Sequence, residues 1–436
     1  MSNEIHAFDQ RDAGRHPLAP PNRARFSRAA WIALVLFCVA QFMLILDITV
    51  TNVALPRIGE DLGIGTASLG WVIAGYSLPF GVLLIVGGRL GDVIGLRSAF
   101  LAGLAVFTAA SLVAAFATSG GMLLPARVAQ GVGAAVLSPA ALGAITLLFD
   151  GPARHRALAV WGALGAVGSA IGALLGGVLT QTVGWRWIFL VNVPVGLAVA
   201  VLLPFVLRSV SLRARTRHPA GADVRVLRQT MFAIGRILTR RPVLLGSATM
   251  LVASVALIGA FFTFSITLQD AMHFSPLVTG LAFLPAAIGA LLGAQLGGHL
   301  LSRVAVRNVA VVAFSVAAVG FGIAVATASA IGIVIGMSVA AVGLGAGFVI
   351  ATATALSVPE PSDAGTTSGV VNTFHELGGA VGVLTASAIV ASVASVAGSA
   401  GLPFVGSGAI VLAAAVASAI WMPRHPLAGG AAGFHH

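Results

Sequence analysis

Lysine is absent from this chain, and cysteine and tyrosine occur once each. The lone Cys38 excludes an intrachain disulfide and any cysteine cluster with metal-ligand spacing. Charged residues make up only 8% of the sequence, too few to clothe the surface of a water-soluble fold of this length. A Walker loop, an HExxH pair and a nucleophile elbow are also missing, which argues against an ATP-driven pump or a hydrolase. No enzymatic activity, cofactor or metal site is expected. What the chain has instead is apolar bulk, at 58% hydrophobic residues, together with 54 glycines. Glycine in such quantity suits helices that pack closely in lipid. The basic residues, all arginine, fit a GC-rich bacterial coding sequence. They cluster between apolar runs, so the net charge of +11 points to membrane topology and lipid contact rather than to nucleic acid.

A membrane-crossing helix needs about 20 apolar residues. That length predicts twelve spans, at 30–54, 67–88, 98–118, 121–148, 157–181, 187–207, 243–268, 276–301, 308–328, 330–356, 366–394 and 404–422. With the N-terminus in the cytoplasm, almost every flanking arginine lies inside and only Arg57 and Arg186 lie outside. The positive-inside rule therefore places both termini in the cytoplasm of a bacterial inner membrane. The expected layout is a tail at 1–29, a six-helix bundle at 30–207, a basic linker at 208–242, a second bundle at 243–422 and a tail at 423–436. Within the linker Val224, Leu227, Met231, Ile234 and Leu238 recur at helical spacing among Arg225, Arg228 and Arg236. They suggest a short amphipathic helix on the lipid surface, or else a plain basic connector.

The two halves echo one another. Gly87-Gly88-Arg89-Leu90-Gly91-Asp92-Val93-Ile94-Gly95-Leu96-Arg97 follows the second span. Gly297-Gly298-His299-Leu300-Leu301-Ser302-Arg303-Val304-Ala305-Val306-Arg307 follows the eighth. Both are read as the cytoplasmic turn of their half, and a parallel duplication explains them. The first copy, through Gly88, Leu90, Asp92, Gly95 and Arg97, resembles the signature loop of the major facilitator superfamily. Further motifs narrow the resemblance to its multidrug and antibiotic:proton antiporters, in the branch usually built with fourteen spans. These are Asp47-Ile48-Thr49-Val50-Thr51-Asn52-Val53-Ala54-Leu55-Pro56, then Arg127-Val128-Ala129-Gln130-Gly131. The third is the fifth-span run Gly168-x-x-x-Gly172-Ala173-x-x-Gly176-Gly177. Two departures stand out: the central extra pair of spans is missing, and Ala173 replaces a proline. The resemblance implies an all-α fold of two six-helix bundles, alternating access by rocking of the bundles, and export of a small molecule in exchange for protons. Residues Gly88, Arg89, Asp92, Gly95 and Arg97 would then form a gate, with Asp92 latching across to the other half.

The residues themselves carry a matching argument. Asp47 and Arg127 fall at similar depth under this topology, and pairing would lower the cost of burying either charge. Span eleven sets Gly365, Ser368, Asn372, His375, Glu376 and Gly379 on one face, with Glu376 near the midplane. Asp47, Arg127, His375 and Glu376 are the candidates for proton or cation coupling, or else static helix-to-helix contacts. Gln41, Asn52, Gln130, Asn192 and Asn372 are the candidates for substrate contact, and Gln295 is a further cavity candidate. Gly162, Gly165, Ser169, Gly172 and Gly176 form a smooth stripe on span five, suited to packing or to gating. Together with Gly168 and Gly177, the glycines of the fifth-span motif join the gating set. The expected cargo is a hydrophobic small molecule, cationic forms included, carried by a monomer. An importer of the same fold, or a membrane sensor that no longer transports, are the rival readings.

Overall fold

The computed structural model describes residues 28–208, 234–327, 329–357, 363–393 and 401–425. Those residues form twelve membrane-length helices and no strand. They are α1 (Arg28–Leu62), α2 (Thr66–Ile94), α3 (Leu96–Ala115), α4 (Gly120–Leu148), α5 (Gly151–Thr182) and α6 (Arg186–Arg208) in one half. The other half holds α7 (Arg241–Ala271), α8 (Pro276–Leu301), α9 (Val306–Thr327), α10 (Ala330–Ala355), α11 (Ala364–Val393) and α12 (Phe404–Trp421). In α6 the helical pattern breaks at Val191, and α7 ends in a π-helical turn over Thr267–Ala271. Helices are the expected choice, because a bilayer core leaves no water to satisfy an open backbone.

The packing repeats with a shift of six helices. In the first half α1 packs on α5, α2 on α4, α3 on α4, and α3 on α6. In the second half α7 packs on α11, α8 on α10, α9 on α10, and α9 on α12. The halves meet mainly along two seams that exchange under the same shift, α2 against α11 and α5 against α8, with a smaller contact of α1 on α7 and α8. The internal echo is therefore structural as well as sequential. Gly87 lets α2 lie directly on the Ala135 carbonyl of α4, and Gly297 brings α8 against Ala346 of α10 in the same way.

Two details correct the expectations above. The 87–94 segment is not a loop: it forms the last turns of α2, and Gly95 alone, at φ 87°, turns the chain into α3. Only glycine adopts that backbone conformation without strain. The first span also continues past Ala54, through Pro56, to Leu62. Arg28, Arg97, Arg154, Arg208, Arg241 and Arg303 gather at one end of the bundle, called here the arginine-rich face; Arg57 and Arg186 lie at the opposite, far face. Val224, Leu227, Met231, Arg225 and Arg228 of the suggested amphipathic helix lie outside the described residues. Residues 234–238 are helical, and Arg236 and Arg240 both pair with Asp363 beside the start of α11, at 3.2 Å each.

Candidate functional site

A cavity of about 990 Å³ lies between the halves and opens toward the arginine-rich face. Gly88, Arg89, Asp92, Thr146 and Thr366 line its mouth, while Gln41, Asn52, Ser77, Asn372, His375 and Glu376 line it further in. Phe80, Trp161, Phe261, Phe283 and Phe348 supply apolar wall from both halves. A space of this size with a few polar groups among aromatic rings suits a drug-sized apolar ligand. Among the described residues, Gln41 Oε1 and Asn52 Oδ1 are buried acceptors with no hydrogen-bond partner. Unused acceptors on a cavity wall are available to a ligand's N–H or O–H groups.

Glu376 sits on the α2–α11 seam. Its Cβ lies so close to α2 that a methyl group on Gly81 would stand 2.8 Å away, and the Ser77 hydroxyl of α2 lies beside it on the cavity wall. No described arginine or histidine forms a salt bridge with it. Next to it, His375 Nδ1 lies 2.8 Å from Ser254 Oγ of α7. The His375 ring meets Phe348 of α10 nearly edge-on, with centroids 5.4 Å apart. His375 is thus held within its own half, and Glu376 faces both halves.

Asp47 and Arg127 do pair, and they are sealed behind the cavity wall. Both side chains have no exposed surface. Arg127 Nη1 donates to Asp47 Oδ2 and to Gln130 Oε1 at 2.8 Å, and Arg127 Nε donates to the Val72 carbonyl at 2.9 Å. The other carboxylate oxygen, Asp47 Oδ1, accepts from Gln130 Nε2 at 3.1 Å and from Asn192 Nδ2 at 3.0 Å. The guanidinium carbon stands 4.8 Å from the Tyr76 ring centroid. This cluster ties α1, α2, α4 and α6 into one unit. Gln130 and Asn192, expected at the substrate, spend their amides on Asp47 instead and do not line the cavity. Gln295 is exposed on α8, away from the cavity. Gln41, Asn52 and Asn372 do line it.

The gating candidates divide by position. Arg89 and Asp92 pair with each other within α2 at 3.3 Å, at the open mouth. Asp92 therefore has no cross-half partner among the described residues, and the expected latch is not engaged in this conformation. Arg97 is exposed at the start of α3. On α5, Gly162, Gly165 and Ser169 face the cavity. Gly168, Gly172 and Gly176 instead pack on α1, where an added methyl would meet Ile45 at 2.8 Å, Thr49 at 2.9 Å and Val50 at 3.0 Å. Gly177 turns toward the other half, where a methyl would stand 2.6 Å from the Pro276 carbonyl of α8. That contact closes the far end of the cavity. Further hydrogen bonds cross the seams at this end, from Leu277 N to Gln181 Oε1 at 3.1 Å and from Gly70 N to Ser387 Oγ at 3.3 Å.

Sequence reasoning missed Ser77, Gly81 and Ser254. Each lies in a different helix from the residue it supports, and helical periodicity carries no information across helices. The only available hint was their position in apolar spans.

The Major Facilitator Superfamily model matches residues 37–383. The chain belongs to that superfamily. It is 34% identical to a cephamycin export protein of Amycolatopsis lactamdurans, over 90% of this chain and 93% of that one. It is also 34% identical to a puromycin resistance protein of Streptomyces alboniger, over 81% of this chain and 80% of the other. A lincomycin resistance protein of Streptomyces lincolnensis is 30% identical over 83% and 85%. In fold it is similar to a bacterial homolog of the human lysosomal transporter Spinster, solved in an inward-facing, occupied conformation. That structure has a TM-score of 0.67 and 18% identity, covering 91% of this chain and 95% of its own.

Proposed function

We propose that this superfamily member exports a hydrophobic small molecule across a bacterial cytoplasmic membrane in exchange for protons, by alternately opening the cavity to either side. The arginine-rich face is cytoplasmic in this reading, as the positive-inside rule requires, so both termini are cytoplasmic. Support for export comes from relatives named for antibiotic export and resistance, matched over 80–93% of their own length. The mixed aromatic and polar wall supports a drug-sized apolar cargo, held through Gln41, Asn52 and Asn372.

The observation that carries the coupling is the place of Glu376: in the cavity, on the seam, with no salt-bridge partner among the described residues. While the cavity is open, water reaches the carboxylate. When the halves close, that water is lost, and an unpaired charge in the membrane interior costs several kcal/mol. The closed intermediate is therefore passable only when Glu376 is neutralised, by a proton on one leg of the cycle and by a cationic group of the cargo on the other. Either occupant excludes the other, which is the requirement for exchange. Asp47 is the weaker candidate for this role, because its oxygens are filled by Arg127, Gln130 and Asn192 away from the cavity. It serves instead as the internal anchor of the first half. His375, fixed by Ser254 and Phe348, orients the face of α11 that carries Glu376.

Inside-out membrane vesicles with an acidified lumen test the proposal. A lipophilic fluorescent cation accumulates in vesicles that contain the protein, and a protonophore abolishes the accumulation. Accumulation confined to right-side-out vesicles would instead make the protein an importer.

A further inference from the structure

Pro56 lies inside α1, and a proline there has no N–H to offer the carbonyl four residues earlier, while its ring pushes that carbonyl out of line. The affected group is the Asn52 carbonyl. A buried carbonyl left without a donor is costly. The donor comes from the other half: Ser265 Oγ of α7 donates to Asn52 O at 2.7 Å. Beside it, Gln269 Nε2 donates to the Val53 carbonyl at 2.8 Å and to Ser265 Oγ at 3.1 Å. Ser265 and Gln269 are one helical turn apart, and Gln269 sits in the π-helical turn Thr267–Ala271 that ends α7. All of these side chains are buried. The contact lies just beyond the cavity, since the Asn52 side chain lines it.

We infer that the Asn52 and Val53 carbonyls of α1, with Ser265 and Gln269 of α7, form a releasable latch that holds the far face of the transporter shut. The inference rests on the alternating-access reading above and adds to it the device that controls one gate. Proline makes the latch specific, because it leaves on α1 an acceptor that the helix itself cannot use. Neutral partners make it releasable. A neutral hydrogen bond contributes little net stability, and water entering an opened cleft replaces both donors at small cost. A buried ion pair at the same place would resist opening far more strongly. Ser265 and Gln269 are positioning residues in this account and do not need to touch the cargo.

The test places spin labels across the far face through Thr118→Cys and Ala326→Cys, on a Cys38→Ser background that leaves no other thiol, in the full-length protein in lipid nanodiscs. Both label positions are exposed loop or helix-end sites. In Ser265→Ala/Gln269→Leu the ratio of long to short distances rises about tenfold over the parent, the order expected for losing two neutral hydrogen bonds. Ser265→Thr, which keeps the hydroxyl, stays near the parent. Pro56→Ala supplies the sharper control: it returns an N–H to the Asn52 carbonyl, so adding Ser265→Ala to it moves the ratio several-fold less than Ser265→Ala does alone. A parent that shifts with pH or cargo, beside a double variant that matches it under every condition, overturns the latch alone. A single short distance in every protein, at every pH and with cargo present, overturns the alternating-access reading and the latch with it.

Discussion

Neutralising Asp47 leaves Arg127 as a fully buried cation with no counter-charge, and the size of the penalty follows from the hydrogen bonds around it. In Asp47→Asn one carboxylate oxygen becomes an amide NH2. The remaining oxygen keeps the bonds from Gln130 and Asn192, while the new amide group points donors at Arg127 Nη1. Breaking a buried ion pair by removing one partner costs about 3–5 kcal/mol, and the lowered stability is expected in that range. Arg127→Met also removes the bond to the Val72 carbonyl, but it leaves the carboxylate with two neutral donors, so its penalty falls near the lower end. The double variant Asp47→Asn/Arg127→Met removes both charges together and is expected to be more stable than either single variant, with a coupling energy of about 3 kcal/mol. Denaturant unfolding in detergent, followed through the six tryptophans, measures all four proteins. Because Asp47 is an anchor in this account, the double variant also retains pH-gradient-driven transport. Additive single-site penalties, or a folded double variant that has lost coupling, would refute the reasoning.

Two further outcomes follow from close contacts. Gly177→Val cannot keep the 2.6 Å approach to the Pro276 carbonyl; overpacking of about 1–3 kcal/mol moves the Thr118–Ala326 label pair toward long distances, whereas Gly162→Ala, with nothing within 4 Å of the added methyl, does not. Ser77→Ala removes the hydroxyl beside Glu376 and shifts the pH at which export is half-maximal without lowering protein abundance.

The bundle was legible in the sequence because length and apolarity are local properties: the twelve spans, the two halves and their echo need no knowledge of contacts. The Asp47–Arg127 pair was legible for a related reason, since two lone charges at similar depth have few other partners. Where the expectations erred, a neighbouring helix decided the outcome. The first span runs on through Pro56 because Ser265, more than 200 residues later, satisfies the freed carbonyl. Gln130 and Asn192 look like cavity amides by composition, yet the carboxylate they surround claims them. The α5 glycines share spacing but divide among the cavity, α1 and α8, because a helix between two partners presents more than one face. Ser77 and Gly81 became visible only when α2 was seen against α11.

The central claim is that Glu376 must be neutralised for the closed cavity to pass between faces. The most direct test compares Glu376→Gln with the parent in proteoliposomes, measuring both cargo counterflow without a pH gradient and cargo movement driven by one. A permanently neutral side chain should preserve counterflow of an uncharged cargo, abolish gradient-driven accumulation of a cationic one and stop the proton movement that accompanies its transport. Gradient-driven accumulation and proton movement equal to the parent's, with the variant fully inserted, would contradict the account.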